Sequence, residues 1–165
     1  MSRIIAQVET VPASYPAIED LEESDALSAA WQRIEHYIAW RYSPRSVVWR
    51  IESTGCEWRA PLAPVVTLTA QVDGDDPFEP EAGPQGGWML PRGIVTVTAT
   101  VGAGPAPAAV LEAVRRYVRL MTTTLTLPAG VTRFSSGTFD AAVRRDELNP
   151  AMAMVNSGAA DLLRA

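Results

Sequence analysis

Apolar side chains recur at helical spacing in two stretches of the chain. The first stretch follows Ser24, a residue type that caps helices well, and should end before Pro44. Its apolar positions fall three or four residues apart, at Leu27, Trp31, Ile34 and Ile38. The second stretch begins near Ala108 and continues to Met121, with arginines on its polar side. This spacing predicts two amphipathic helices that pack on each other.

A pattern with a period of two predicts antiparallel strands between the two helices. In the clearest example, Val47, Trp49 and Ile51 fall on one face of the strand, and Val48, Arg50 and Glu52 fall on the other. Strands are expected at residues 46–52, 57–60, 65–72, 88–90 and 94–101. The predicted fold class is α+β and mainly helical. It consists of two main helices packed together, a small antiparallel β insertion, and an extended C-terminal arm that ends in a short helix.

The apolar periodicity weakens after Pro128, which predicts a domain of residues 1–130 and an arm of residues 131–165. The arm carries apolar side chains without an obvious place of its own to bury them: Phe134, Phe139, Met152, Met154, Leu162 and Leu163. Folding against a partner would supply the missing burial. The alternative is that the tail packs back on its own domain.

The charge pattern changes the picture at one loop. The chain has 14 basic residues, all Arg, and a net charge of −5. Residues 73–87 contain five acids and no base: Asp73, Asp75, Asp76, Glu79 and Glu81. With its prolines and glycines, this segment is predicted to be an exposed, mobile loop. The acidic balance argues against affinity gained by neutralising phosphates.

Candidate catalytic chemistry is sparse. The chain has one Cys, Cys56, and one His, His36, which excludes an internal disulfide and a Cys/His zinc site. Residues 73–76 lack the register of a calcium loop, and Gly102 and Gly104 lack the other residues of a phosphate-binding loop. We therefore expect no catalytic residue, no cofactor and no metal.

The N-terminus does not read as a targeting or membrane segment. Residues 1–6 are soon followed by Glu9 and Pro12, which interrupt the apolar run of a signal peptide. No apolar run approaches the roughly 18 residues that a membrane helix needs. We expect a soluble protein made inside the cell.

The order of segments carries a family resemblance. In sequence, these are an acidic lead, the helix Leu27 to Trp40, Val47-Val48-Trp49, Leu62-Ala63-Pro64-Val65-Val66, the acidic loop, Ile94-Val95-Thr96-Val97-Thr98 running into Gly102 to Pro107, the helix Ala108 to Met121, and a tail with Asn149-Pro150 and Ser157-Gly158-Ala159-Ala160-Asp161-Leu162-Leu163. This layout, over roughly residues 18 to 165, resembles the head-to-tail adaptor (connector) proteins of long-tailed bacteriophages and phage-like gene transfer agents.

The resemblance implies a structural role in particle assembly and no enzymatic activity. Proteins of this family form a ring of 12 copies between the portal and a stopper or tail terminator protein. DNA passes through the central channel without sequence-specific binding, and no membrane is involved. Residues 1–130 would then form the ring, and the apolar residues of the arm would dock on the portal. The five acids of residues 73–87 would face either the channel or the next tail component. The expected location is the neck of the particle, assembled in the bacterial cytoplasm.

Two other functions remain open. A stopper or tail-completion protein of the same particle would also be small, acidic and multimeric, although the two helices favour the adaptor. A small intracellular ligand-binding or enzymatic α+β domain would instead use the region of Cys56 and Trp58.

Overall fold

The computed structural model describes residues 2–125, 134–136, 139–141 and 152–164. The chain forms two compact units, one of Met1–Pro16 with Ala39–Pro105 and one of Ala17–Ile38 with Ala106–Ala165. We call them the β unit and the helical unit. They do not coincide with the sequence-based division at residue 130, and the roles assigned to the two sides of that division remain predictions.

The β unit is built around a four-stranded antiparallel sheet. Its strands are β1 (Arg3–Glu9), β2 (Arg45–Thr54), β3 (Glu57–Trp58), β4 (Val65–Val72), β5 (Trp88–Met89) and β6 (Arg92–Val101). The sheet has the order β1-β2-β6-β4, and β3 pairs separately with β5. The strand expected at residues 65–72 is confirmed, and those at 46–52 and 94–101 are each longer than expected.

One face of this sheet is buried and forms the core of the β unit. The fully buried residues of β2 and β6 on this face are Val47, Trp49, Ile51, Val95, Val97 and Val101. The ring of Trp58 stands edge-on to Trp49, with the ring centroids 5.4 Å apart. Alternate residues such as Arg50 and Thr98 are exposed on the other face. The period-two pattern therefore produces a sheet that is apolar on one side only.

The prediction of a mainly helical fold is wrong. Of the residues described, about 32% are in strands and 28% in helices. The strand content exceeds the prediction chiefly because of β1, a strand that was not predicted. This N-terminal segment joins the sheet by pairing with β2, which lies more than 35 positions further along the chain. Residues two positions apart in a regular strand face the same side of the sheet. A bulge lies between Ile4 and Ala6, so these two residues face opposite sides instead. The bulge breaks the alternation that would have indicated a strand.

The helical unit contains the two predicted helices. Its elements are α1 (Asp25–Ile38), α2 (Ala108–Leu125), the hairpin of β7 (Phe134–Ser136) and β8 (Phe139–Ala141), α3 (Ala153–Asn156) and α4 (Ala159–Leu162). The Ser24 hydroxyl accepts a hydrogen bond from the Leu27 N–H at 3.2 Å, which confirms the predicted N-cap. α1 packs on α2, as the two apolar stripes predict.

The last described residues pack on the helical unit. α3 and α4 both contact α2, and the two short helices are separated at Gly158, which has a positive φ of 69°. Ala153, Met154, Ala159 and Ala160 are buried. Residues 152–164 therefore pack back on the helical unit, which was the alternative to a free arm. The rest of the expected arm, residues 131–151, includes the β7–β8 hairpin, and its other residues lie outside those described.

A buried ion cluster joins β1 to the segment before β2. The Arg41 guanidinium donates two hydrogen bonds to the Glu9 carboxylate, at 2.6 and 3.0 Å, and only 1% of the Arg41 side chain is exposed. Arg45 donates to the same carboxylate at 3.2 Å and to the Ser43 carbonyl at 3.1 Å. Its guanidinium also lies 5.6 Å from the centre of the Tyr15 ring. These contacts attach the edge strand to the rest of the β unit.

The Glu9 carboxyl should make the stability of the protein depend on pH. Burial opposes its ionisation, but the hydrogen bonds and positive charges of Arg41 and Arg45 outweigh burial and lower its pKa below the ordinary 4.5. A lowered folded-state pKa contributes stability above the unfolded-state pKa, and this contribution is lost as the pH falls through the folded-state value. We expect the free energy of unfolding to decrease below about pH 5. In Glu9→Gln this part of the pH dependence should be absent, and an unchanged acid profile would contradict the assignment.

Gly102 occupies a position that no larger residue fits. Its φ is +99°, and an added Cβ would overlap the carbonyl oxygen of Ser43. We expect Gly102→Ala to lower the free energy of unfolding by about 2 kcal/mol, measured by chemical denaturation. Gly104 is the matched control, because its φ is +83° and an added Cβ would meet nothing within 4 Å. Equal losses in the two variants would show that the overlap has no effect.

Candidate assembly surfaces

The first candidate surface is an apolar edge along the N-terminal strand. β1 is an outer strand of the sheet, and Ile5 and Val8 on it are 49% and 65% exposed. Val11, just beyond the strand, is 75% exposed. We call these three residues the apolar edge. Exposed apolar side chains on an uncovered edge strand favour contact with another chain.

The second surface is the acidic loop, residues 73–87. Asp73 forms an exposed ion pair with Arg50, at 3.1 Å. The four other predicted acids are also exposed: Asp75, Asp76, Glu79 and Glu81. Within the residues that the structure describes, none of these four forms an ion pair. The loop therefore presents a concentrated negative charge that its own unit does not compensate.

The acidic loop is held at its base, although its composition predicts a mobile segment. Phe78 exchanges two backbone hydrogen bonds with Ala70, both 2.8 Å, so the loop returns along β4. The Glu57 carboxylate accepts the N–H groups of Gln85 at 3.0 Å and Gly87 at 2.6 Å. Arg59 also donates to the Gln85 carbonyl. These contacts fix where the acidic side chains are displayed.

Glu57 is expected to control the order of the acidic loop. Glu57→Ala leaves the Gln85 and Gly87 N–H groups without their carboxylate acceptor, which should lower stability by about 1–2 kcal/mol. Amide hydrogen exchange should become faster at residues 79–87 and remain unchanged in β2 and β6. The exposed Glu52 on β2 provides the control, and Glu52→Ala should leave exchange in the loop as it is. Unchanged loop exchange in Glu57→Ala would contradict this role.

The third surface is a basic groove in the helical unit. It is a cavity of about 310 Å³ between α1 and the C-terminal segment, lined by Arg33, His36, Tyr37, Met154, Val155 and Arg164. Arg164 Nε donates a hydrogen bond to the Tyr37 hydroxyl at 3.2 Å, and His36 Nδ1 lies 3.0 Å from the Gln32 carbonyl oxygen. In the described part of the chain, Arg33 and Arg164 have no acidic side chain within ion-pair distance. The groove therefore combines uncompensated positive charge with apolar surface.

The predicted portal residues have different environments. Met152 is 44% exposed, whereas Met154 is 4% exposed and belongs to the buried part of α3. Leu162 and Leu163 are half-buried. Phe134 and Phe139 begin β7 and β8, and their side chains lie outside the described residues. Met152 is therefore the described residue of this set that offers the most surface to a partner, and the portal contact itself remains a prediction.

The region proposed for the alternative enzymatic function has limited access. Trp58 is 5% exposed and belongs to the core of the β unit. The Cys56 thiol is half-buried and lies 3.0 Å from the Thr54 hydroxyl and 3.9 Å from the Ser2 hydroxyl. Hydrogen bonding to Thr54, followed by that to Ser2, lowers the pKa of the thiol. Such contacts alone do not identify a nucleophile, because both partners are hydroxyl groups and neither is a general base.

The described residues contain no group of three or more His, Cys, Asp and Glu side chains arranged to hold a metal ion. Of the helices in that part of the chain, none combines the length and hydropathy needed to cross a bilayer.

Several residues that shape these surfaces were not identified from the sequence. Glu57 is 28 and 30 positions from the amides that it binds, and Arg33 is far along the chain from Arg164. Neither pair shows a local spacing pattern. One feature of the sequence could have indicated that surfaces of opposite charge exist. The loop of residues 73–87 is negative, whereas residues 88–165 carry a net positive charge.

Comparison with known proteins adds no relative, since no protein-family model, curated protein or solved structure matches the chain.

Proposed function

We propose that this chain is a structural head-to-tail adaptor of a phage or gene-transfer-agent particle. Copies of the chain form a ring, with 12 members in the family that it resembles, between the portal and a stopper or tail terminator protein. DNA passes through the ring without sequence-specific binding. The ring belongs to the neck of the particle and is assembled in the bacterial cytoplasm.

The observation that carries this proposal is the apolar edge. An edge strand offers unpaired backbone groups, and here it also displays Ile5, Val8 and Val11 to solvent. Burying these side chains against another chain is favourable by about 25 cal/mol per Å² of apolar surface. In an assembling subunit such a surface can form a protein–protein contact, because each copy must bind its neighbours and its docking partner.

The charge of the chain is compatible with a conduit for DNA. The net charge of the chain is −5, and its acidic excess is not limited to the loop, since residues 1–40 contain seven acids and two arginines. A negative wall repels phosphates, so DNA can slide through without being held. The resemblance in element order supplies the identity of the two neighbours, the portal and the stopper.

Co-sedimentation with the cognate portal tests the proposal. The purified chain should sediment with the portal, and the Val8→Ser, Val11→Ser variant should bind several-fold more weakly while keeping its circular dichroism spectrum. Met89→Ser is the matched control, because Met89 is 40% exposed on β5 and lies outside the apolar edge. Failure of the unmodified chain to bind the portal would overturn the proposal.

The strand content favours a second candidate, a stopper or tail-completion protein of the same particle. Such proteins tend towards β-rich folds, and strands outnumber helices among the described residues. The order of binding separates the two functions. An adaptor binds the bare portal, whereas a stopper binds only after an adaptor ring is in place.

A further inference from the structure

We propose that the basic groove binds the acidic loop of a second copy of this chain, so that neighbouring copies join head to tail. This inference rests on the proposed function, because it names the contact between adjacent subunits of the ring. It assigns the loop to this contact in place of a position facing the channel or the tail.

The groove has the chemistry of a receptor for an acidic segment. Arg33 and Arg164 supply two guanidinium groups, each able to bind a carboxylate through paired N–H donors. Tyr37, Met154 and Val155 supply apolar surface beside them. The volume of about 310 Å³ is at the lower end of ligand-pocket sizes, so it suits a few side chains of a loop.

The acidic loop has the complementary composition. Two apolar residues, Pro77 and Phe78, stand between Asp76 and Glu79. Phe78 is half-buried and packs against the core of the β unit, so the exposed Pro77 is the apolar group that this part of the loop offers to a partner. Acidic and apolar groups of the loop can therefore meet the basic and apolar groups of the groove together.

The loop is ordered before it binds. The Asp75 N–H donates to the Val72 carbonyl at 3.0 Å, and the Gln71 amide donates to the Asp75 carbonyl at 2.9 Å. With the contacts of Glu57 at the other end, these hydrogen bonds shape the loop at both ends. Ordering in the free chain reduces the conformational entropy that binding would otherwise cost.

A second copy is the occupant that the charges favour. The loop and the groove are different surfaces, so their contact is heterologous and each copy can both donate a loop and receive one. Such contacts close into a ring when the rotation between copies allows it, and a docked portal supplies that rotation. Exposed ion pairs are individually weak, so the contact should depend on salt and on the number of copies held together.

Charge reversal tests the contact directly. The groove-reversed variant carries Arg33→Glu and Arg164→Glu, and the loop-reversed variant carries Asp75→Arg and Asp76→Arg. In each variant alone, every loop meets a groove of like charge, so assembly on the portal should fall at least tenfold. An equimolar mixture of the two should restore assembly, because every contact between unlike copies is then complementary. A chain carrying all four changes should also assemble by itself.

The mixture separates a contact between copies from one within a copy. An intramolecular contact would be restored by the four-fold variant and not by mixing, which would overturn the inference. Normal assembly of either reversed variant would also overturn it, including the case in which only tail attachment is disturbed. If a reversed variant does not fold, the neutral changes Arg33→Gln and Asp75→Asn should instead reduce the salt dependence of assembly, and an unchanged dependence would contradict the contact.

Matched controls keep the net charge equal. Arg92→Glu with Arg119→Glu gives the same charge change as the groove reversal, and Glu22→Arg with Glu23→Arg gives that of the loop reversal. All four positions are exposed and lie outside both surfaces. These control variants should assemble as the unmodified chain does. A tenfold loss in them would show that net charge alone is responsible.

Failure of this contact and failure of the proposed function have different signatures. If the unmodified chain and both reversed variants form equal rings on the portal, the contact is wrong and the adaptor function stands. Sedimentation of the chain without portal, at low salt, measures the contact independently. Restored self-association in the mixture, together with no binding to the portal, would support the contact and reject the adaptor.

Discussion

Trp49→Ala is expected to lower the free energy of unfolding of the β unit by about 4 kcal/mol, because it empties the centre of the buried sheet face. Trp49 is fully buried, and its indole N–H donates to the Gln7 side-chain oxygen at 2.8 Å. Its ring also contacts Trp58 edge-on. The substitution therefore removes apolar burial, an aromatic contact and a link to β1 together. Urea denaturation followed by far-ultraviolet circular dichroism measures the loss.

Trp49→Phe separates these contributions. Phenylalanine keeps most of the apolar volume but cannot donate to Gln7, so we expect a loss of about half that of Trp49→Ala. An exposed aromatic gives the reference for a change outside the core. Trp40 is 41% exposed, and Trp40→Ala should cost less than about 1 kcal/mol. Similar losses at Trp40 and Trp49 would contradict the position of the core.

Arg41→Ala is the second large expected effect, with a loss of about 3 kcal/mol. Removing the Arg41 guanidinium leaves the Glu9 carboxylate, which is 14% exposed, without the partner that makes two hydrogen bonds to it. A partly buried carboxylate that loses its main partner costs far more than an exposed one. Because Glu9 lies at the end of β1, amide exchange should accelerate first in that strand.

Arg50→Ala is the matched control for Arg41→Ala. Arg50 also pairs with a carboxylate, that of Asp73, but the two side chains are 54% and 61% exposed. Exposed pairs contribute at most about 1 kcal/mol, so Arg50→Ala should be nearly neutral. If the two substitutions had equal effects, burial of the Glu9–Arg41 pair would not be the cause.

Local patterns predicted the elements whose partners lie nearby or whose period is unbroken. Ser24 and the apolar positions after it identified α1, and the alternation around Trp49 identified β2. These signals depend on residues within one or two turns or pleats of each other. They located two helices and the central strands without any tertiary information.

The overall balance of helix and strand could not be predicted in the same way. The bulge at Ile5 hid β1, and that strand is recognisable only through its pairing with β2. The surfaces also depend on long-range contacts, because the basic groove forms only when Arg33 and Arg164 come together in the folded helical unit. Long-range contacts decide both, and a sequence pattern of short period contains no information on them.

The proposed function requires copies of this chain to bind the portal and one another as a ring. Electron microscopy of the purified chain mixed with the cognate portal tests this most directly. We expect a second ring of density stacked on one end of the portal, with a channel continuous through both. Portal particles that remain bare, with the chain monomeric beside them at saturating concentration, would contradict it.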